Sequence, residues 1–263
     1  MIGRMLRLFW RQMNVQLQIR TFNLYTLLLL FVQPFVFSAV GMVLSQVAGN
    51  QKPDLVYTVI GGGILGMWSG LVFSSTFDIG RDRRDGTLEF IIGSPTPYSV
   101  VEAVRTLTNV LTGLVSLLAA FLVAVLVFDY TLDQVQVLPA LVSLLLIVAG
   151  MWAIGVFLAN FLVWSRLSGS IVEFFEFPVA VVCGFMYPIR ILPEWMQAIS
   201  AVFPIRWALE GLQAALYGVS DMNFYAGRWG MALALGLLFW LTAHWMERKV
   251  HDLIRVSGEM SSI

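Results

Sequence analysis

Six apolar segments, each long enough to cross a lipid bilayer, follow one another along the 263 residues of this chain. A helix rises about 1.5 Å per residue, so about 20 mostly apolar residues cross a hydrocarbon core of about 30 Å. The sequence therefore predicts an all-α membrane protein with six transmembrane helices and almost no water-soluble part. The predicted spans are Leu24–Leu44, Leu55–Phe77, Leu107–Phe128, Leu138–Leu162, Ile171–Tyr187 and Trp229–Met246.

The composition agrees with a membrane location. Hydrophobic residues make up 59% of the chain and charged residues 12%, whereas an average soluble domain is about 25% charged. The formal net charge is zero, so the chain lacks the basic excess of a nucleic-acid-binding protein. The single cysteine, Cys183, lies in apolar sequence and excludes an intrachain disulfide, so we expect a buried, unreactive thiol.

Lysine and arginine are unevenly divided between the two ends of the predicted spans. The N-terminal segment, the second and fourth connections and the C-terminal tail carry eleven of them. The other connections carry three, or four if Arg228 at a boundary is counted. Because cytoplasmic loops are enriched in these residues, we expect both termini to face the cytoplasm. The apolar segment after Arg20 is also longer than the core of a cleavable signal peptide, which is about 7–15 residues.

Residues 1–22 carry a helical pattern of their own. This pattern predicts an amphipathic helix that lies in the inner headgroup layer, with apolar residues broadly opposite a polar stripe. The alternative is a frayed cytoplasmic extension. The stripe recurs at alternating spacings of three and four and consists of Arg4, Arg7, Arg11, Asn14 and Gln18.

The longest predicted cytoplasmic connection, residues 78–103, consists of a charged half followed by a short apolar one. The charged half ends at Gly86, and Thr87 is placed to cap a short helix over Leu88–Ile92 that Gly93 closes. A helix this short is not stable alone, so its apolar side needs a surface to pack against. The residues alone leave two surfaces open: a partner protein, or the chain's own bundle and the lipid headgroups.

Within this connection, Asp85-Gly-Thr-Leu-Glu-Phe-Ile-Ile-Gly-Ser-Pro95 resembles the signature Glu-x-Gly-Thr-Leu-Glu-x-Leu-x-x-(Ser/Thr)-Pro of type-2 ABC export permeases. In that family the segment is a coupling helix that docks in a groove on a separate ATPase subunit. The chain departs from the family near the third span, where Glu102 and Arg105 stand in place of the lysine of many relatives. The resemblance implies that the ATPase contact consists of Asp85, Gly86, Thr87, Leu88, Glu89, Phe90, Ile91 and Ile92.

A second stretch, between the fifth and sixth predicted spans, resembles the same family. It reads Gly184-Phe-Met-Tyr-Pro-Ile-Arg-Ile-Leu-Pro-Glu-Trp-Met-Gln197, followed by Phe203-Pro204. The family pattern, Gly-x-x-(Phe/Tyr)-Pro…Leu-Pro-x-Trp-(Leu/Met)-Gln…Pro, implies a re-entrant helical hairpin over residues 189–227. The residues alone also allow a surface-lying amphipathic segment with a belt of tryptophans. The resemblance singles out Tyr187, Pro188, Leu192, Pro193, Trp195 and Pro204.

Glu173 and Glu176 lie one helical turn apart near the predicted cytoplasmic start of the fifth span. Acidic side chains within a membrane are costly and usually face a bundle interior or water. One interpretation is that the pair lines the translocation path and contacts a cationic substrate. The other is that it extends to the inner interface or accepts a hydrogen bond from a neighbouring helix.

The sequence assembles no catalytic centre and no metal site. The two histidines, His244 and His251, both lie at the predicted inner end of the last span and tail. The phosphate-binding pattern Gly-x-x-x-x-Gly-Lys-(Ser/Thr) is absent, because Lys52 is followed by proline and Lys249 by valine. We therefore expect no enzyme activity and no cofactor on this chain, with ATP and Mg²⁺ bound by a partner ATPase.

Together, these features predict a single transmembrane permease domain, residues 1–263, in an ATP-driven exporter. The resemblance implies two ABC ATPase subunits and a second permease copy or paralogue, surrounded by lipids of a prokaryotic inner or plasma membrane. The expected substrate is amphipathic: a drug-like natural product, a lipid or a lipid-linked glycan. The alternatives are a non-transporting membrane scaffold or immunity protein and, third, an intramembrane enzyme.

Overall fold

The computed structural model describes residues 56–84, 98–128, 135–165 and 176–257, together with a few single positions elsewhere. Within these ranges every regular element is helical, which confirms the predicted all-α class there. A π-helical turn, Val56–Ile60, precedes the first helix, and a 3₁₀ turn, Ile189–Ile191, lies between the fourth and fifth. The helices are α1 (Gly61–Arg84), α2 (Tyr98–Phe128), α3 (Val137–Ser165), α4 (Glu176–Val182), α5 (Glu194–Ser200), α6 (Pro204–Leu216) and α7 (Met222–Ser257).

Three of the described helices are long and apolar enough to cross a membrane: Val100–Leu122 in α2, Val137–Leu162 in α3 and Met222–Arg248 in α7. They match the third, fourth and sixth predicted spans. A shorter apolar stretch, Gly61–Val72, lies in α1, within the second predicted span. The count of six transmembrane helices stays a prediction.

Several predicted segments lie outside the described residues. They include the first span, Leu24–Leu44, and most of the amphipathic helix over residues 1–22. Four positions of that helix are described, and all four are helical. Met13 is buried, whereas Trp10, Arg11 and Asn14 are exposed.

The connection between α1 and α2 is shorter than the sequence predicted. α1 continues through the charged residues as far as Arg84, and α2 begins at Tyr98. Just beyond α1, Gly86 is exposed and has a φ of 63°, a left-handed conformation that favours glycine. The remaining residues of the predicted ATPase contact, Asp85 and Thr87–Ile92, lie outside the described residues.

α3 lies at the centre of the described bundle, where it packs against α1, α2, α6 and α7. Ile147, Met151 and Ile154 of α3 are almost completely buried in this core. In a membrane, close packing rather than exclusion of water drives helix association, so the fit between these side chains matters most. Other helices contribute Ile64, Met67, Leu71, Val110, Ile205, Leu209 and Leu212.

Glycines bring α1 and α2 closer together than larger residues would permit. A Cβ atom at Gly63 would lie 2.8 Å from Ala120 Cβ, and one at Gly113 would lie 2.8 Å from Met67 Cγ. Small residues at helix contacts let the backbones approach in this way. α1 and α2 therefore form a closely packed pair that flanks the predicted coupling segment.

α3 and α7 run in the same direction. Near their starts, Trp229 Nε1 of α7 donates a hydrogen bond of 2.9 Å to Ser143 Oγ of α3. Farther along both helices, the rings of Trp152 and Trp240 are 4.9 Å apart. Because the two helices are parallel, the chain between them must return from the end of α3 to the level of its start. The predicted fifth span would provide such a return.

Candidate functional site

The segment between α4 and α7 starts with a sharp turn at Gly184. Gly184 has a φ of 65°, its N–H donates to Val181 O at 3.1 Å, and the N–H of Phe185 donates to Ala180 O at 3.3 Å. This pair of bonds around a left-handed glycine is a Schellman motif, which ends a helix and reverses the chain. The glycine that opens the family pattern therefore redirects the backbone at the end of α4.

The residues after this turn are held by side chain to backbone hydrogen bonds. Tyr187 Oη donates to Val181 O at 2.5 Å, back onto the end of α4. Pro188 is the N-terminal flanking residue of the 3₁₀ turn, and Pro193 holds the same position before α5. Gln197 Nε2 donates to Leu192 O at 2.7 Å, which ties the start of α5 to the preceding turn.

The turn Ala201–Phe203 joins α5 to α6, and two side chains of α6 donate hydrogen bonds back to the end of α5. Arg206 Nη1 donates to Gln197 O at 2.8 Å, and Trp207 Nε1 donates to Ala201 O at 3.0 Å. Gln197 O also accepts from the N–H of Ala201, whereas Ala201 O lies just beyond the last turn of α5, where carbonyls have no partner within their own helix. Trp195 of α5 is 65% exposed.

α6 lies antiparallel along the first half of α3. A Cβ atom at Gly150 would lie 3.5 Å from Pro204 Cβ, at the start of α6. At its end, Ala215 O accepts a hydrogen bond of 2.9 Å from the N–H of Gln136, just before α3. Gly150 lies about 20 Å along α3 from its first residue, at about 1.5 Å per residue. Pro204 is therefore placed near the middle of α3, whereas the other end of α6 lies at the start of α3.

Three charged residues join α6 to α7. Glu210 accepts from Arg206 Nε at 3.2 Å with one oxygen and from Arg228 Nε at 2.7 Å with the other. The Arg228 guanidinium also lies 4.5 Å from the ring centre of Phe224, a cation–π contact. The pairing of these residues was not predicted from the sequence, although the spacing of four between Arg206 and Glu210 on one helix was a usable signal.

Glu176 is buried at the start of α4 rather than extended to an interface. It is 1% exposed, and one carboxylate oxygen accepts a hydrogen bond from Ser69 Oγ of α1. Trp68 Nε1 donates to the backbone oxygen of Glu176 at 3.1 Å. The contact with Ser69 is a hydrogen bond from a neighbouring helix, which is one of the two arrangements that the second interpretation allowed. Glu173 lies outside the described residues.

A second buried acid lies near the start of α2. Glu102 Oε1 and Arg105 Nη1 are 3.2 Å apart, and their side chains are 3% and 8% exposed. An ion pair buried in a membrane helix marks a functional or structural constraint. This ion pair was not predicted from the sequence, where the two residues stood out only as departures from the family, although their spacing of three placed them on one helix face.

The described side chains supply no metal centre. Among them, no group of three or more His, Cys, Asp or Glu residues lies close enough to hold an ion. Some of the polar side chains described above join one helix to another, as Ser69 joins Glu176 and Arg228 joins Glu210.

The comparisons with known proteins agree with this architecture. Residues 1–217 match the family of ABC-2 type transporters, and the chain belongs to that family. No curated protein matches the chain. Membership makes this chain a membrane-embedded component of an ABC transporter, in a family that associates with an ABC ATPase and is typically not itself catalytic.

Proposed function

We propose that the chain is the membrane subunit of an exporter that moves an amphipathic substrate out of the cytoplasm or the inner leaflet. Two ATPase subunits bind ATP and Mg²⁺ and drive a pair of permease chains, either two copies or this chain with a paralogue. The complex resides in the inner or plasma membrane of a prokaryotic cell. Both termini of this chain are on the cytoplasmic side.

The observation that carries the proposal is the position of α6. Pro204 packs against Gly150 near the middle of α3, while Ala215 at the other end bonds to Gln136. If α3 crosses the bilayer, α6 reaches about half its depth from the outer side. This supports a re-entrant hairpin, because non-helical backbone such as Ala201–Phe203 is tolerated at membrane depth only against protein or a cavity.

The packing also supports a route for coupling from the ATPases. In the sequence, Thr87–Ile92 connects α1 to α2, and these two helices pack closely at Gly63 and Gly113. α1 in turn bonds to α4 through Ser69 and Glu176. Closure of the ATPases would push this segment and so move α1 and α2 as one unit. Because α4 is bonded to α1, the movement would reach α4 and the turn that follows it.

The test is a charge introduced into the coupling segment. Leu88→Asp would bury an uncompensated carboxylate in the ATPase groove and cost about 3 kcal/mol or more, so association should weaken roughly a hundredfold. The full-length chain is purified with an affinity tag from its native cells, and the co-purified ATPase and its ATP hydrolysis are measured. The variant should lose both.

Leu88→Met is the matched control, since it keeps an apolar side chain of similar volume and should retain the ATPase. Equal insertion of both variants into the membrane separates lost coupling from misfolding. Normal co-purification and ATP hydrolysis in Leu88→Asp would show that this segment is not the ATPase contact.

A further inference from the structure

A cleft opens between α2, α3 and α7. It lies near the start of the candidate span in α2 and near the ends of those in α3 and α7. Its volume is about 140 Å³. The residues that line it are at or near the ends of Val100–Leu122, Val137–Leu162 and Met222–Arg248. At that position a cleft lies at the boundary between acyl chains and headgroups. It is lined by Val100, Ala103, Val156, Asn160, Trp240, His244 and Glu247.

Asn160 supplies an acceptor to this cleft. The residue is 1% exposed, and its Nδ2 donates to Val156 O at 3.1 Å within α3. This hydrogen bond identifies which amide atom is the nitrogen and which is the oxygen, because only the nitrogen can donate to a carbonyl. The buried Oδ1 has no hydrogen-bond partner in the described part of the chain. A buried acceptor without a donor is costly, so the site favours a ligand that carries N–H or O–H groups.

Glu247 and Trp240 make the same cleft favourable to a cation. The Glu247 side chain is 10% exposed, and His244 Nδ1 lies 3.2 Å from its Oε2. Trp240, whose indole ring is of the kind that attracts cations, also lines the cleft. A ligand with a positive, hydrogen-bonding head therefore fits both the carboxylate of Glu247 and the amide oxygen of Asn160.

The rim of the cleft carries the opposite charge. Arg248 is exposed, and its Nη2 lies 3.2 Å from His244 Nε2. A guanidinium at this position suits a phosphate group just outside the cleft. Val100 and Val156 provide an apolar wall on which an acyl chain can lie.

We propose that this cleft binds a phospholipid of the surrounding leaflet whose headgroup ends in a primary ammonium. The ammonium donates to Asn160 Oδ1 and pairs with Glu247, while the phosphate faces Arg248. A quaternary ammonium has no N–H and leaves Asn160 Oδ1 without a donor. Such a group is usually held by a cage of several aromatic rings, whereas Trp240 is the one aromatic residue among the described residues that line the cleft.

The first test compares phosphatidylethanolamine and phosphatidylcholine with identical acyl chains. Both are added in equal amounts to the purified full-length chain in detergent, and bound lipid is counted by native mass spectrometry. One hydrogen bond to a charged group predicts a preference of roughly tenfold for phosphatidylethanolamine. Asn160→Leu should bring the preference close to one. Equal binding by the wild type would overturn the proposal.

Asn109→Leu is the matched control. Asn109 is 2% exposed in α2 and does not line the cleft, so the same change there should leave the lipid preference intact. Loss of the preference in both variants, or in neither, would place the lipid elsewhere and reject the site.

A second measurement needs no variant and covers the case in which Asn160→Leu does not fold. A phosphatidylethanolamine with a photoreactive group on the first carbons of one acyl chain is crosslinked to the wild-type chain in membranes. Adducts should map to the cleft-lining parts of α2, α3 and α7, near Ala103, Asn160 and His244, and excess phosphatidylethanolamine should suppress them. Adducts only elsewhere, or a contact with a second protein chain in place of the lipid, would contradict the proposal.

Discussion

Two buried acids of this bundle have partners of different kinds, one on another helix and one a turn away on its own helix. Glu176 bonds to Ser69 across 107 positions of sequence, whereas Glu102 and Arg105 pair along α2. In a low-dielectric environment a polar group without such a partner is costly to bury. The hydrogen bond from Ser69 therefore explains how the Glu176 carboxylate can be buried inside an apolar segment.

Glu176 provides the prediction at the residue scale. Glu176→Ala should lower the free energy of unfolding by about 2 kcal/mol, because it leaves a cavity and removes the acceptor of Ser69. Glu176→Gln should stay close to the wild type, since an amide oxygen accepts the same hydrogen bond. Thermal unfolding of the purified protein in detergent measures both. Equal melting temperatures for Ala and the wild type would contradict a bracing role.

At the scale of elements, the packing of α1 depends on which glycines face a neighbour. A Cβ atom at Gly61 would overlap the carbonyl group of Phe185, in the turn after α4. Gly70, on the same helix, has nothing within 4 Å of its Cβ position. The start of α1 is therefore in tight contact with the turn after α4, while its middle has a side without a close neighbour in the described chain.

Gly61→Ala tests this contact, with Gly70→Ala as its control on the same helix. The first change forces backbone apart and should cost about 1–3 kcal/mol. The second should be neutral or slightly stabilising, because alanine is the better helix former. Melting temperatures of the two variants, compared at equal expression, give the result. Similar losses in both would show that the contact at Gly61 is not the cause.

At the scale of the whole molecule, the parallel arrangement of α3 and α7 constrains the topology. Ser143 pairs with Trp229 near the starts of the two helices, and Trp152 with Trp240 farther along. The distribution of lysine and arginine in the sequence predicts that the C-terminal ends of both helices lie on the cytoplasmic side. The two ends of α7 must then be accessible from opposite sides of the membrane.

Cysteines at the two ends of α7 test that assignment. Asp221 and Arg248 are exposed and about 40 Å apart along the helix. Cys183 is completely buried, so Cys183→Ala supplies a background without competing thiols. Asp221→Cys should react with a membrane-impermeant thiol reagent in intact cells, whereas Arg248→Cys should react only after lysis. The reverse pattern would invert the orientation.

The hydrophobic segments of the sequence were sufficient to predict the helical class and three of the candidate membrane spans. Segment length and apolarity are local properties, so Leu138–Leu162 predicts a membrane helix without knowledge of its neighbours. The predicted fifth span, Ile171–Tyr187, ran through Gly184, so the sequence did not predict the left-handed turn that ends α4 after Val182. The end of α1 was predicted less well: the connection was expected from residue 78, but the helix continues to Arg84. Charged residues do not prevent helix hydrogen bonds, so the end of an apolar segment need not be the end of a helix.

The tertiary structure alone decided which residues face one another. α6 packs along α3, Glu176 accepts a hydrogen bond from α1, and Asn160, Trp240 and Glu247 line one cleft. Each of these arrangements joins residues that are far apart in the chain. Apolarity is nearly uniform around a membrane helix, so its sequence pattern does not define the side that faces a neighbour. Shape and hydrogen bonding between helices define that side, and they exist only once the helices are packed.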